Sequence, residues 1–402
     1  MTGRNSPLKI CMFSNLFPPI PSGSSTFTWE LSRRLVEIGH SVTVITAQFE
    51  NTSSYENTEG VEVFRLPALR LPPLAIAHNF KWMTYTFTPR NLRFLQKLFN
   101  RKRFDVLHQH NHIFDTILSS SWLADRYRIP LVITIHTWAQ HPNPLFDRLL
   151  MLLDGVSRRV IIQKASAVVS PDPVVKKYVA MRHHVNDSIV IPYGIDAQLV
   201  SPSDIRRLRK ELGVEGDQVV LSLGHVNRLR NRKDLIEAMQ TVVQRFPNSR
   251  LLIVGEVNWK EPVELVERLG LSKNVTFTGA MPRTQVPVLF ALSCLETHTF
   301  TGPYPGPGIA SLEAMAAGLP VITGEIDAQY DYSHFHNWQN VVMVPPNNPK
   351  ATAAAIIRLL SNPSLRVKIG DKARRTMERH SWKSVCEAYV ELYHKVIQQS
   401  KH

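Results

Sequence analysis

The stretch Thr299 to Thr323, TFTGPYPGPGIASLEAMAAGLPVIT, concentrates residue types suited to holding an anion. Gly302, Gly306 and Gly308 alternate with prolines in a stiff loop without bulky side chains, and Ile309 to Ala317 reads as a short helix stopped by Gly318. Such a loop lets the backbone N–H groups of Gly306, Gly308, Ile309 and Ala310 approach a phosphate, where the helix dipole also favours negative charge. Glu313 falls one turn into that helix. A carboxylate there can accept hydrogen bonds from two neighbouring hydroxyls, as on a ribose. The same residues also fit a Gly/Pro loop before a buried helix, with Glu313 as a solvated acid near its start. His108 and His110 lie at the end of one apolar run and His136 at the end of another, LVITIH. A strand-end imidazole serves either packing or chemistry.

The elements that position these residues follow from hydrophobic patterning. Lys9 to Ser14 is a short apolar run, followed by the Pro/Gly/Ser-rich loop Asn15 to Ser25, which contains Ser22 and Gly23. Phe27, Leu31, Leu35 and Ile38 then recur at helical spacing, Gly39 supplies a stop, and Ser41 to Thr46 reads as the next strand. This is a βαβ unit opening a parallel sheet. Similar runs return at Val61 to Phe64, Asp105 to His108, Leu131 to His136, Ala167 to Ser170 and Ile189 to Pro192. After Pro192 a polar, turn-rich stretch reads as a linker, and the pattern restarts with Gln218 to Gly224, Arg250 to Gly255 and Asn274 to Gly279. The expectation is two doubly wound α/β halves, residues 1–192 and 193–381, with ligands beyond the carboxyl ends of the strands and a cleft between the halves. A final helix within 382–402 would pack back on one half, with the first half expected.

LEAMAAGLPVI, preceded by GIAS, resembles the signature of glycosyltransferase family 4, the retaining sugar-nucleotide transferases of GT-B fold. The likeness extends over nearly the whole chain: PPIPSG resembles the family's first glycine loop, FDVLHQH its acceptor-domain histidine strand, IPYGID its interdomain segment, and GHVNRLRNRKDLIEA its cationic donor loop. The resemblance implies a GT-B fold of two Rossmann-like domains. It implies a nucleoside-diphosphate sugar as donor, a hydroxyl acceptor, and no cofactor or metal; no Asp-x-Asp pair occurs in the sequence. It assigns Glu313 to the donor ribose, and Gly23, His225, Arg228 and Arg230 to the donor diphosphate. His110 falls near the reacting sugar, with Arg230 as its catalytic counterpart, and Ser22 and His136 on the acceptor side. The family's first carboxylate, eight residues before Glu313, is Pro305 here, and its usual Arg is His225. Thr301 and the peptide groups of Gly306 to Gly308 are the candidates to replace that carboxylate. Arg232 and Lys233 read as a solvated helix-start pair. A degenerate relative, binding a sugar nucleotide or a partner protein without transfer, is the competing reading.

The chain has 402 residues, 47 basic and 33 acidic, for a formal charge of +14. Its three cysteines are too dispersed for a disulfide framework or a thiolate metal site, which favours a reducing, cytoplasmic compartment. No apolar run is long enough to span a bilayer. Between Glu62 and Asp105 every charged residue is basic, interleaved with aromatics. Leu92, Leu95 and Phe99 would form either one face of a membrane-surface helix, docking the segment 65–103 on anionic lipid near a lipid-linked acceptor, or ordinary core. Nucleic acid is not expected, because no recognition module accompanies the charge.

Overall fold

The computed structural model describes residues 6–20, 22–70, 84–137, 143–196, 198–228, 230–299 and 306–401. They form two compact units: Met1–Gly194 with Trp382–His402, and Ile195–Ser381. The chain therefore enters the second unit once and returns, so the last helix belongs to the first unit.

The first unit is built on an eight-stranded sheet. Its strands are β1 (Lys9–Ser14), β2 (Ser41–Ala47), β3 (Tyr55–Thr58) and β4 (Val61–Leu66), then β7 (Val106–His110), β8 (Leu131–Thr134), β9 (Ala167–Ser170) and β10 (Ile189–Val190). Two short strands, β5 (Leu69–Arg70) and β6 (Thr84–Tyr85), pair separately. The order across the large sheet is β10-β9-β8-β7-β1-β2-β4-β3, parallel except where β3 meets β4. β1, β7 and β8 are almost wholly buried, which explains why β1 and β8 read as continuous apolar runs instead of alternating ones, while β7 carries buried polar residues at its end. Helix Gly23–Glu37 covers one face through Phe27, Leu31 and Leu35, and the C-terminal helix Trp382–Gln399 adds Val385, Tyr389 and Tyr393 to the same core. Helix Pro89–Arg101 covers the other face with Leu95, Leu98 and Phe99. The apolar stripe of the 65–103 segment is therefore core on this helix, whose outward side carries Arg90, Arg93, Phe94, Lys97 and Arg101; residues 71–83 lie outside the described residues.

The second unit holds a six-stranded parallel sheet, order β13-β12-β11-β14-β15-β16. Its strands are β11 (Gln218–Leu223), β12 (Ser249–Val254), β13 (Val275–Gly279), β14 (Leu295–His298), β15 (Val321–Gly324) and β16 (Val342–Val344). Helices pack on both faces, giving two apolar clusters either side of the sheet. The strand order reverses at β11, where β12 leads one way and β14 the other. Neighbouring helices leave on opposite sides at such a point, so a crevice opens beyond the carboxyl ends of the strands.

Candidate active site

Beyond β11 and β14, three elements of the second unit meet. Gly224, at φ +128°, leaves β11 with no side chain, and a Cβ there would stand 2.1 Å from an Arg230 guanidinium nitrogen. The guanidinium thus lies flat against the strand end, donating to the Leu223 carbonyl at 3.1 Å and standing 3.3 Å from His298 Nδ1. His298 closes β14 and sits beneath the start of helix Ile309–Ala316, since a Cβ on Gly308 would be 3.5 Å from His298 Nε2. Gly308 is the N-cap residue, and no side chain caps that helix. A guanidinium and an uncapped helix N-terminus thus converge, which is the arrangement an anionic phosphate requires. Gly306 is fixed by packing: at φ +124° its missing Cβ would fall 2.4 Å from the Tyr332 ring.

Underneath lies a buried polar layer that the sequence did not advertise. Arg232 is fully buried, donating to the Gly224 carbonyl at 3.2 Å and to Ser222 Oγ. The expectation of a solvated Arg232 is corrected: its side chain tucks under the end of β11, held by those two bonds. Lys233 does face outward and pairs with Glu261. Burial pushes Arg232 down to about 9, helped by Arg230, and still leaves it charged near neutrality. Glu296 on β14 is fully buried, accepts a hydrogen bond from Ser311 Oγ at 3.1 Å, and is pushed up to about 8 by desolvation. His298 is held well below its ordinary value by burial and then by the two arginines. Near pH 7 the layer therefore holds two positive charges, a neutral imidazole and a largely protonated carboxyl, an excess of positive charge suited to a multiply charged anion.

Glu313 is mostly buried and held bidentately by Arg283, one arm at 2.9 Å. Arg283 lies thirty positions away in a short 3₁₀ turn, so no spacing rule could have paired them. His225 is exposed, with Nδ1 3.7 Å from Glu256 Oε2, and Arg228 is exposed nearby. Of the cationic expectations, Arg230 is the one brought to His298, the ring over which Gly308 starts the helix of Ile309 and Ala310. Thr301 and Pro305 lie outside the described residues.

In the first unit β7 extends to His110, so His108 and His110 point to one face, ring centroids 4.1 Å apart. Their partners separate them. His108 has both nitrogens engaged, Nε2 with Thr134 Oγ1 at 2.8 Å and Nδ1 with Tyr393 OH at 2.7 Å. His110 engages only Nδ1, 3.0 Å from His136 Nε2, and its buried Nε2 has no partner. His136 is in turn 3.3 Å from Tyr193 OH through Nδ1, and its backbone N–H donates to Asn111 Oδ1 at 3.0 Å. Both ring nitrogens of His136 are thus engaged, one of them with His110. Burial drives His108 and His136 down to about 3 and His110 well below its usual value, so all three are neutral. Phe27 packs on His136, Tyr193 and Trp382 at 5.1 to 5.4 Å, fixing the rings. Ser22 caps the helix Gly23–Glu37, its Oγ accepting from the Ser25 amide at 3.0 Å, and a Cβ on Gly23 would meet nothing within 4 Å.

One trio with metal-ligand side chains occurs among the described residues: His112 after β7, Asp154 on helix Pro144–Val160 and His183 at the end of helix Pro173–His183. Tyr178 OH sits inside it, 3.0 Å from both Asp154 oxygens and 3.1 Å from His112 Nε2. Burial, and then nearby charges including Arg158 and Arg182, pull His183 down to about 3. His112, Asp154 and Tyr178 form a hydrogen-bonded brace, against which the His183 ring packs edge-on, and those arginines would oppose a dication beside it.

Two family models match the chain, Glycosyltransferase Family 4 over residues 21–199 and Glycosyl transferases group 1 over residues 204–376. The chain belongs to glycosyltransferase family 4. Its fold is GT-B, with two Rossmann-like parallel-sheet units, and its broad activity is glycosyl transfer. An uncharacterized glycosyltransferase of Methanocaldococcus jannaschii is 24% identical over 96% of this chain and 98% of its own length. The alpha-monoglucosyldiacylglycerol synthase of Acholeplasma laidlawii is 25% identical over 78% of this chain and 80% of its own. Among solved structures, Anabaena HepE in complex with UDP-glucose aligns with a TM-score of 0.68 and 20% identity, covering 96% of this chain and 99% of that one.

Proposed function

We propose that this glycosyltransferase moves a sugar from a nucleoside diphosphate to a hydroxyl of a lipid-linked acceptor, with retention and without a metal. The observation that carries the reading is Arg230 lying beside the uncapped helix start at Gly308, above a buried layer with excess positive charge. In this reading the diphosphate sits on those amides and on Arg230, which stabilise its leaving charge in place of a cation. Glu313, freed in part from Arg283, takes the ribose hydroxyls. The bond from the anomeric carbon to the phosphate oxygen breaks, the acceptor oxygen forms the new bond on the same face, and its proton passes to the departing phosphate. His110, neutral and with Nε2 buried and unpartnered, supplies a hydrogen bond near the anomeric centre. The UDP-glucose complex of HepE and the glycolipid named for the Acholeplasma synthase support the choice of donor and acceptor class.

The test is release of nucleoside diphosphate from UDP-, GDP- and ADP-sugars in EDTA, with lipid and soluble hydroxyl acceptors and the product anomer read by NMR. Release in EDTA with a retained anomer is expected. Strict dependence on added metal, or an inverted product, overturns the corresponding part. Tight nucleotide binding with no release on any acceptor would establish the second reading, a binding-only relative, which the proline at position 305 favours.

A further inference from the structure

Helix Pro144–Val160 is built inside out. Its only fully buried side chains are polar, Asp154 and Ser157. Asp154 accepts the Tyr178 hydroxyl at 3.0 Å and faces His112 Nε2 at 3.3 Å, while Ser157 Oγ donates to the His112 carbonyl at 2.8 Å. These bonds fix the rotation of the helix, so its opposite side must face outward. That side carries Leu145, Leu149, Leu152, Leu153 and Val156, exposed by 69%, 45%, 68%, 51% and 53%. Their spacing places them on a single stripe one turn after another. The adjoining helix Pro173–His183 adds Met181, 61% exposed. A stripe of this kind on a folded domain marks a surface that something apolar covers.

The charge around it selects the occupant. Arg148 and Arg159 are exposed, and helical geometry sets both along one border of the leucine stripe. Asp147, the one acid on the helix that is not buried, lies away from that border and pairs with Arg182. The first unit carries 25 basic against 15 acidic residues, so it holds +10 of the chain's +14. We infer that helix Pro144–Val160 lies in the plane of an anionic bilayer surface, its leucines among the acyl chains and Arg148 and Arg159 at the headgroups. With 17 residues it rests on the membrane and does not cross it. The inference rests on the lipid-acceptor reading only for its purpose, and it adds a link to it. The residue gripped from below, His112, lies two positions after His110, so the lipid-bound helix would hold the loop that follows the candidate catalytic histidine.

The experiment is flotation of the full chain with vesicles of phosphatidylcholine alone and of phosphatidylcholine mixed with phosphatidylglycerol, without donor or acceptor, together with light scattering in the absence of lipid. Binding confined to the anionic vesicles is expected. Leu149→Glu/Leu152→Glu should lose about tenfold or more in vesicle affinity, and Arg148→Glu/Arg159→Glu should weaken the anionic preference. Because all four side chains are exposed, the near-UV spectrum and melting temperature should stay at wild-type values. Equal binding to both vesicles, no binding, or undiminished binding by the leucine variant overturns the inference. A lipid-free dimer that the leucine variant converts to monomer, with vesicle binding unchanged, also overturns it and gives the stripe to a second copy of the chain. Transfer to a soluble acceptor in the same variants reports separately on the catalytic reading.

Discussion

At the residue scale the site is governed by which polar atoms are already spent. His108 is saturated by Thr134 and Tyr393, and His136 by His110 and Tyr193, so His110 Nε2 is the one imidazole nitrogen of the three still available. Replacing His110 by Ala should lower kcat by about 10²-fold or more with donor affinity preserved, measured by steady-state kinetics. Arg230→Ala should lower transfer by about 10²–10³-fold and weaken nucleoside-diphosphate binding in calorimetry, with the fold intact. Unchanged affinity in that variant would refute the cation role. Glu296 gives a pH prediction. Its carboxyl is pushed up to about 8, so it is neutral below that pH and anionic above it. If the diphosphate sits as proposed, an anion beneath it repels the donor, so donor affinity should fall as pH rises through about 8, and Glu296→Gln should remove that step. The sign for stability agrees: a carboxyl whose folded value is raised from 4.5 stabilises the fold below that value, and this contribution is lost as pH rises to about 8. Chemical denaturation between these limits, compared with Glu296→Gln, should show the difference.

At the element scale the loop-to-helix joints decide what the site can bind. Gly306→Ala should abolish donor binding and lower the melting temperature, because the new Cβ meets Tyr332 and the left-handed φ penalises any side chain. If Tyr332→Ala restores binding to that variant, the steric part dominates; if not, the backbone conformation does. Such joints were largely readable in the sequence. Glycine and proline spacing gave the turn into Ile309–Ala316, and apolar runs gave β1, β2 and β11, because a strand buried on both faces needs an uninterrupted apolar stretch. Less visible were elements held by tertiary contacts. β3 has the polar sequence YENT and exists by pairing with β4. Arg232 reads as a solvated cation because the groups that bury and satisfy it, Ser222 Oγ and the Gly224 carbonyl, come from the end of β11, which no local pattern places over the helix start. The Arg283–Glu313 pair and the Tyr393–His108 bond join positions that no local pattern relates.

At the scale of the whole molecule, the first unit is discontinuous in sequence. Helix Trp382–Gln399 supplies Trp382, Tyr389 and Tyr393 to its core, and the Trp382 indole lies so close to Gly194 that a Cβ there would stand 2.1 Å from it. Trp382→Ala should destabilise the first unit by about 3–5 kcal/mol, seen in calorimetry as a downward shift of one transition while that of the second unit stays put. Deleting 382–402 should go further, leaving His108 Nδ1 unpartnered and Phe27 uncovered on one side. The same arrangement sets an order in time. A ribosome releases residues 1–194 long before it releases Tyr389, with the whole second unit made in between. The nascent first unit must therefore wait with an aromatic groove open until the final helix emerges, whereas the second unit has its whole sequence in hand earlier. The unit begun first is the one completed last, and during that interval it is the natural client of a chaperone.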